Sequence, residues 1–131
     1  IEAEKDHLAA EVLADWLMDG KAGLVLVDVR PSNEFHRYHL PGAINLPLDQ
    51  LAKGLAPHKN KGTIVLYSNG MVHPAQARDA LVRLGFGNVL FLTDGLTGFR
   101  EEILKPLSLR REPLSAEQRS KINKWRSFFS K

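Results

Sequence analysis

The chain has 131 residues, of which 44% are hydrophobic and 25% are charged, and this is the size and composition of one domain with its own core. It contains no cysteine, which excludes disulfides, thiolate metal sites and a cysteine nucleophile within these residues. No apolar run approaches the roughly 20 residues of a membrane-spanning helix. We therefore expect a soluble protein without a transmembrane segment. A chain without thiols suits the cytoplasm and the periplasm equally.

The formal net charge of +3 is divided unevenly along the chain. Residues 1–105 carry 11 basic and 13 acidic side chains, whereas residues 106–131 carry 7 basic and 2 acidic ones. The sequence pattern changes at the same point: the segment 107–114 shows no clear periodicity, and two prolines, Pro106 and Pro113, lie beside or within it. We expect residues 1–105 to form the folded domain and residues 106–131 to form a C-terminal extension. Because the chain begins at Ile1 and shows no signal-peptide pattern, we also expect an excised or processed piece.

Helical and strand patterns alternate through the first part of the chain. Apolar residues at helical spacing predict a helix over 6–20, with Asp6 as its N-cap and Gly20 as its C-terminal stop. Short apolar runs rich in β-branched residues predict strands that are buried on both faces, namely 24–28, 63–67 and 88–92. A weaker strand over 43–46 and a short helix over 48–53 fill the interval between the first two.

The last two strands flank a predicted helix over 74–84. Ala77, Leu81 and Leu84 form its apolar stripe, Pro74 suits its first turn and Gly85 ends it. Strand, helix and strand in this order form a βαβ unit. The chain is therefore predicted to be an α/β domain with a central, mostly parallel sheet and helices on both faces.

The loop after Tyr67 is the candidate site. In an open α/β sheet, ligands bind beyond the carboxyl ends of the strands, and the loop from Ser68 to His73 leads straight into a helix there. Backbone N–H groups and the positive end of a helix dipole favour an anion at such a position. We expect Ser68 to lie at the floor of a small anion cradle.

Several segments resemble one known family when they are taken together. They are Asp28-Val29-Arg30, Glu34, His39-Leu40-Pro41-Gly42-Ala43-Ile44-Asn45, Ile64-Val65-Leu66-Tyr67 with its loop, Leu84-Gly85-Phe86-Gly87-Asn88-Val89, and Asp94-Gly95. In order and spacing, from about Leu8 to Leu104, they resemble the rhodanese-like (sulfurtransferase) domain family. The resemblance implies a three-layer fold around a five-stranded sheet.

The resemblance also implies where chemistry would take place. Active members carry a persulfide-forming cysteine as the first residue of the loop after the fourth strand, and the matching position here is Ser68. They often hold arginines among the next five residues, which here are Asn69, Gly70, Met71, Val72 and His73. Asp28, Arg30 and His39 correspond to residues that support this loop. No metal or cofactor is implied.

Two interpretations of Ser68 remain open. A naturally divergent, inactive domain would act as a binding or regulatory module with a small anion in its loop. A Cys→Ser form of an active thiosulfate-type sulfurtransferase is the alternative. We favour the first, because the arginines of the loop are missing together with the cysteine.

Other arrangements of the polar residues are weaker. Ser68 and His73 lack a third group that could orient the histidine as a base. His36 and His39, taken with either His58 or His73, lack the constellation of a metal site. We expect the glycine-containing segment 95–99 to form a turn, and the family resemblance implies that Thr97 and Phe99 line the pocket.

The chain is predicted to end in a basic amphipathic helix. Ser115 and Gln118 form a capping-box pattern, and Ile122, Trp125 and Phe129 fall on one face. Docking of that face onto the domain is the first interpretation. A protein partner or an anionic surface bound through 115–131 is the second, and nucleic acid is weaker because no motif accompanies the charge.

Overall fold

The computed structural model describes residues 7–70, 72–105, 110 and 114–129. Its centre is a five-stranded sheet with the order β1-β5-β4-β2-β3, in which every pair of neighbouring strands is parallel. The strands are β1 (His7–Leu8), β2 (Leu24–Asp28), β3 (Ile44–Asn45), β4 (Thr63–Tyr67) and β5 (Val89–Leu92). The predicted α/β fold class is confirmed, and the sheet is wholly parallel.

Six α-helices connect or follow the strands within the described residues. They are α1 (Ala10–Asp19), α2 (Ser32–Arg37), α3 (Leu51–Leu55), α4 (Val72–Arg83), α5 (Gly95–Phe99) and α6 (Ala116–Phe129). Short 3-10 turns over Leu48–Gln50 and Ala56–His58 flank α3, and a π-helical turn over Arg100–Leu104 continues α5. Within the described part of the chain, no helix is long and apolar enough to cross a bilayer.

The sheet separates two hydrophobic cores. In β4, Val65 and Tyr67 face one core while Ile64 and Leu66 face the other, as the two-residue period of a strand requires. Residues of α1, α5 and α6 cover the first core, and residues of α3 and α4 cover the second. Both faces of β4 are therefore covered, and this explains the uninterrupted apolar run in its sequence.

The N-terminal helix is shorter than predicted. The pattern predicted a helix over 6–20, but α1 starts at Ala10 because the residues before it pair with β5 as the edge strand β1. A two-residue strand is too short to show a period. Asp6, the predicted N-cap, lies outside the described residues. Gly20 ends the helix as predicted, in the left-handed conformation with φ of 65°.

Several other boundaries differ from the predictions. Helix α4 begins at Val72 instead of residue 74, and Leu84, predicted as part of its apolar stripe, lies beyond the helix and is 55% exposed. Helix α2 was not predicted, because its six residues bury no side chain fully. The predicted turn over 95–99 is α5.

The C-terminal helix is capped as predicted. The Gln118 N–H donates to Ser115 Oγ at 3.1 Å, and the Ser115 N–H donates to Gln118 Oε1 at 2.8 Å. Ile122, Trp125 and Phe129 are buried in the core that α1 and α5 share. The described part of the extension therefore packs onto the domain. Residues 106–109 and 111–113 of the predicted linker lie outside the described residues, and the division at residue 105 stays a prediction.

Candidate functional site

The candidate loop starts directly at the carboxyl end of the central strand. Ser68 follows β4 and is half-buried, whereas Asn69 and Gly70 are exposed. Met71 lies outside the described residues, and α4 begins at Val72. The carboxyl ends of β2 and β5 flank β4 in the sheet. Residues that follow these three strands therefore share one edge of the sheet.

Helix α5 holds the carbonyl groups of the loop. The Leu96 N–H donates to the Ser68 carbonyl at 2.8 Å, and the Thr97 N–H donates to the Asn69 carbonyl at 3.1 Å. This approach requires glycine at position 95, where φ is +60° and a Cβ would lie 2.5 Å from the Gly70 carbonyl oxygen. The start of α5 is thus fitted against the backbone of the loop.

The same contacts fix the direction of two loop N–H groups. A trans peptide places its N–H opposite its C=O, and no described peptide bond is cis. Because the carbonyls of Ser68 and Asn69 point towards α5, the N–H groups of Asn69 and Gly70 point away from it. Neither N–H donates to a described residue. The loop therefore presents two neighbouring backbone donors on the side away from α5, shortly before α4 begins in the chain.

A buried ion pair lies beneath the loop. Arg30 Nη2 lies 2.7 Å from Asp28 Oδ2, and Arg30 Nε lies 3.0 Å from Oδ1 of the same carboxylate. Their exposed fractions are only 6% for Arg30 and 0% for Asp28. The hydrogen bond to Asp28 raises the pKa of Arg30, against the opposing effect of burial. The positive charge of Arg30 is thus matched by Asp28 and is not offered to a ligand.

Arg30 also reaches the loop itself. Its Nη1 donates to Asn69 Oδ1 at 3.3 Å, and Asn69 Nδ2 donates to Glu34 Oε1 at 3.0 Å. Its Nη2 donates to the Tyr38 carbonyl at 2.6 Å. Asn69 therefore links the candidate loop to α2. No arginine or lysine stands among the described loop residues, and the carboxylate of Glu34 lies close by.

Tyr67 and His39 support the neighbouring segment. The Tyr67 hydroxyl accepts the Leu40 N–H at 3.0 Å, and burial raises the pKa of Tyr67 well above its usual range. The His39 ring stacks on Phe35 with centroids 3.8 Å apart, and its Nδ1 donates to the Phe35 carbonyl. No hydrogen bond joins His39 to the described loop residues. It therefore supports the segment between α2 and β3.

The remaining histidines do not form a catalytic group with Ser68. His73 is exposed in the first turn of α4, and no hydrogen bond joins it to Ser68. Among the described residues, no three His, Asp or Glu side chains come together in a way that could hold a metal ion. Phe99, expected at the mouth of the pocket, is fully buried against Phe129 instead. Thr97 is exposed and reaches the loop through its N–H.

Three features of the site were not predicted from the sequence. Glu34 was noted as part of a motif but not as a partner of Asn69. Asn45 Nδ2 donates to the carbonyls of both Asp28 and Arg30, and so holds the end of β2. The N-terminal N–H groups of α5 were missed as well. The only indication of the α5 contact in the sequence was that α5 follows a strand, because the loops after neighbouring parallel strands meet at one edge of the sheet.

Comparison with known proteins gives the same family along most of the chain. A sequence profile described as "Rhodanese-like domain" matches residues 9–102. The HTH-type transcriptional regulator Rv0324 of Mycobacterium tuberculosis is 40% identical over 90 residues, which cover 66% of this chain and 39% of the regulator. The probable adenylyltransferase/sulfurtransferase MoeZ of the same species is 33% identical over 103 residues, 77% of this chain and 26% of MoeZ. The chain thus spans well under two thirds of either relative.

A solved structure agrees with the architecture. The rhodanese-like domain of the Alr3790 protein from Anabaena sp superimposes with a TM-score of 0.67 and 24% identity, and covers 84% of this chain and 86% of that one. At this identity the likeness concerns the fold alone. The profile supplies the family, because it extends over well over half of the residues. On this ground, the chain belongs to the rhodanese-like domain family.

Proposed function

We propose that this rhodanese-like domain is a non-catalytic binding or regulatory module, and that its loop after β4 holds a small anion such as sulfate or phosphate. The 131 residues contain no cysteine, so no thiol is present to carry a persulfide. Ser68 stands where the family resemblance places the cysteine. A serine hydroxyl is not ionised near neutral pH, and no described base forms a hydrogen bond with the Ser68 side chain.

The observation that carries the proposal is the direction of two N–H groups. Those of Asn69 and Gly70 point away from α5, and no described residue accepts from them. Two neighbouring donors in front of a helix N-terminus favour a negatively charged group. The twelve-residue length of α4 gives it a substantial dipole.

The charges around the loop predict weak binding. Arg30 is neutralised by Asp28, and Glu34 places a carboxylate beside Asn69. An anion would therefore be held by backbone dipoles without a guanidinium. We expect a dissociation constant of about 1 mM, which corresponds to about 4 kcal/mol of binding free energy.

Nuclear magnetic resonance tests the proposal directly. In a titration of the ¹⁵N-labelled chain with sodium sulfate at constant ionic strength, the amide signals of Asn69 and Gly70 should shift saturably. Ser68→Ala is the matched control, because it removes the hydroxyl and keeps the backbone donors, so its affinity should stay within about twofold. Unmoved Asn69 and Gly70 signals would refute the anion cradle.

The alternative is a Cys→Ser form of an active thiosulfate-type sulfurtransferase. The absence of cysteine and the similarity to MoeZ are consistent with this alternative, whereas the similarity to the regulator Rv0324 favours a regulatory role. The codon for residue 68 in the source gene separates the two. If that codon encodes serine, Ser68→Cys should remain inactive in transfer of sulfur from thiosulfate to cyanide, because the loop lacks a cationic clamp. Recovered turnover would show that only the nucleophile had been lost and that the rest of the site can still support sulfur transfer.

A further inference from the structure

The outward face of α6 carries most of its charge. Its apolar face is buried against the domain, where Ile122, Trp125 and Phe129 have exposed fractions of 8% or less. The exposed positions include Arg119, Lys121, Lys124 and Arg126, and Glu117 is the only acidic residue in α6.

One of these cations is already committed to the domain. Lys121 Nζ lies 3.4 Å from Asp15 Oδ2, and Trp125 Nε1 donates to Asp15 Oδ1. Asp15 of α1 thereby holds α6 in place through two side chains. Arg119, Lys124 and Arg126 make no ion pair with any described carboxylate. Their charges remain available on the outer side of the helix.

A shallow groove of about 780 Å³ runs along this outer side. Two of the unpaired cations, Arg119 and Lys124, line it together with the polar side chains of Ser120 and Asn123. Met18 of α1 and Phe128 of α6 add apolar walls, and both are half-buried. The described lining residues include no carboxylate. The groove thus offers positive charge, hydrogen-bond donors and apolar surface within one concave area.

We propose that this groove, the α6 groove, binds an acidic peptide segment of a partner protein. Carboxylates of the segment would pair with Arg119 and Lys124, and an apolar side chain would lie against Met18 and Phe128. We choose an acidic partner because its carboxylates complement the positive charges of Arg119 and Lys124. The site is separate from the loop after β4, so the inference does not depend on the anion cradle.

Two other polyanions fit this surface less well. An anionic membrane requires an apolar helix face that can enter the lipid, and the apolar face of α6 is already buried in the core. A nucleic acid presents a long row of phosphates, whereas residues 1–105 carry 13 acidic side chains against 11 basic ones. A short acidic segment needs only the local cations of the groove.

Fluorescence anisotropy with the full 131-residue chain tests the proposal. The probe is a fluorescein-labelled peptide of glutamates with two central leucines, and a peptide of glutamates alone is the comparison. The Arg119→Glu/Lys124→Glu variant should bind the leucine-containing probe at least about tenfold more weakly. Lys53→Glu/Arg83→Glu makes the same change in charge on α3 and α4, across the sheet, and should bind almost normally. Circular dichroism melting curves should show that both variants are folded.

The other outcomes overturn the proposal. Equal weakening by the two double variants, or equal binding of the two peptides, would show attraction by overall charge without use of the groove. The absence of saturable binding would refute the groove as a binding site. Tighter binding of a short duplex DNA, or of phosphatidylcholine vesicles containing phosphatidylglycerol, would assign the surface to nucleic acid or to a membrane.

Discussion

Arg30 and Asp28 form a buried, two-pronged ion pair, and Arg30 extends from it to Asn69 of the candidate loop at 3.3 Å. The two charged residues stand only two positions apart, at the end of β2. Because Asp28 fixes the plane of the guanidinium, Nη1 is held in position for the Asn69 side chain. The Asp-x-Arg motif thus links the end of one strand to the loop after the next strand in the sheet.

Removal of Asp28 should be strongly destabilising. Asp28→Ala leaves the guanidinium of Arg30 buried without its counter-charge, and we expect a loss of about 3–5 kcal/mol in the free energy of unfolding. Urea denaturation followed by circular dichroism measures it. Asp79→Ala is the control, because Asp79 is exposed and lies 3.9 Å from Arg78; it should cost less than about 1 kcal/mol. Similar losses in both variants would contradict the structural role of the buried pair.

The two tyrosines predict a loss of stability at alkaline pH. Burial raises the pKa values of both Tyr67 and Tyr38 in the native protein, and Arg100 partly opposes the rise for Tyr38. Above pH of about 10 the unfolded chain loses phenolic protons that the native chain retains, so stability falls as pH rises. Tyr67 alone contributes a slope of up to about 1.4 kcal/mol per pH unit. The stability that Tyr67 contributes is fully present below pH of about 10 and is lost progressively as the pH rises above it.

Absorbance at the phenolate band checks this prediction, since Tyr67 and Tyr38 are the only tyrosines in the chain. Tyr67 should ionise only as the protein unfolds. Tyr67→Phe should remove its part of the alkaline slope, while it costs about 1–3 kcal/mol at neutral pH because the Leu40 N–H loses its acceptor. An unchanged slope in Tyr67→Phe would show that other groups govern alkaline unfolding.

Glu34 should weaken anion binding at the loop. Its carboxylate accepts from Asn69 Nδ2, one side chain away from the proposed backbone donors. Glu34→Gln removes a negative charge and keeps an acceptor oxygen, so we expect sulfate to bind about three- to tenfold more tightly. The amide shifts of Asn69 and Gly70 measure this. Glu102→Gln on the π-helical turn removes the same charge elsewhere and should have little effect. Equal gains in sulfate affinity in both variants would mean that net charge alone accounts for the effect.

Regular patterns of side chains predicted most of the fold. The three buried strands and the C-terminal helix have apolar spacing over four or more residues, and the structure confirms them. Strand β1 and helix α2 were not predicted. Strand β1 has only two residues, and α2 has no fully buried side chain, so neither shows a periodic pattern of apolar residues. Leu84 fitted a helical stripe but falls after the end of α4, where the chain turns at Gly85.

The same distinction between local patterns and long-range contacts applies to the site. Ser68 and Asp28 could be placed at strand ends from the sequence, because a strand determines where its own loop begins. The hydrogen bonds of Asn69 to Arg30 and Glu34 join parts of the chain more than 30 positions apart. Such contacts depend on the strand order, which places β4 between β2 and β5. Local periodicity does not contain that order.

The C-terminal helix should contribute substantially to stability. Trp125 is buried and donates to Asp15, so Trp125→Ala should cost about 3–5 kcal/mol. Asn123→Ala on the outer face of α6 is the control and should change stability by less than about 0.5 kcal/mol. Thermal melting of the two variants, and of a chain that lacks residues 107–131, measures the effect. An unchanged melting temperature after truncation would mean that the domain does not use the docked helix.

Gly95 should prove more restrictive than another glycine with the same backbone conformation. Gly95 and Gly20 have φ of +60° and +65°, so alanine is strained at both positions and costs about 1 kcal/mol from conformation alone. At Gly20 a Cβ has nothing within 4 Å, whereas at Gly95 it would lie 2.5 Å from the Gly70 carbonyl oxygen.

Gly95→Ala must therefore also push α5 away from the loop and lengthen the hydrogen bonds to the carbonyls of Ser68 and Asn69. We expect it to cost at least about 2 kcal/mol more than Gly20→Ala, because a backbone contact yields less easily than a side chain. It should also weaken sulfate binding, since the direction of the Asn69 and Gly70 N–H groups depends on those carbonyls. Denaturation and the amide titration together decide the matter. Equal stability losses would mean that the loop adapts to the new methyl group, and that its backbone is not held by α5.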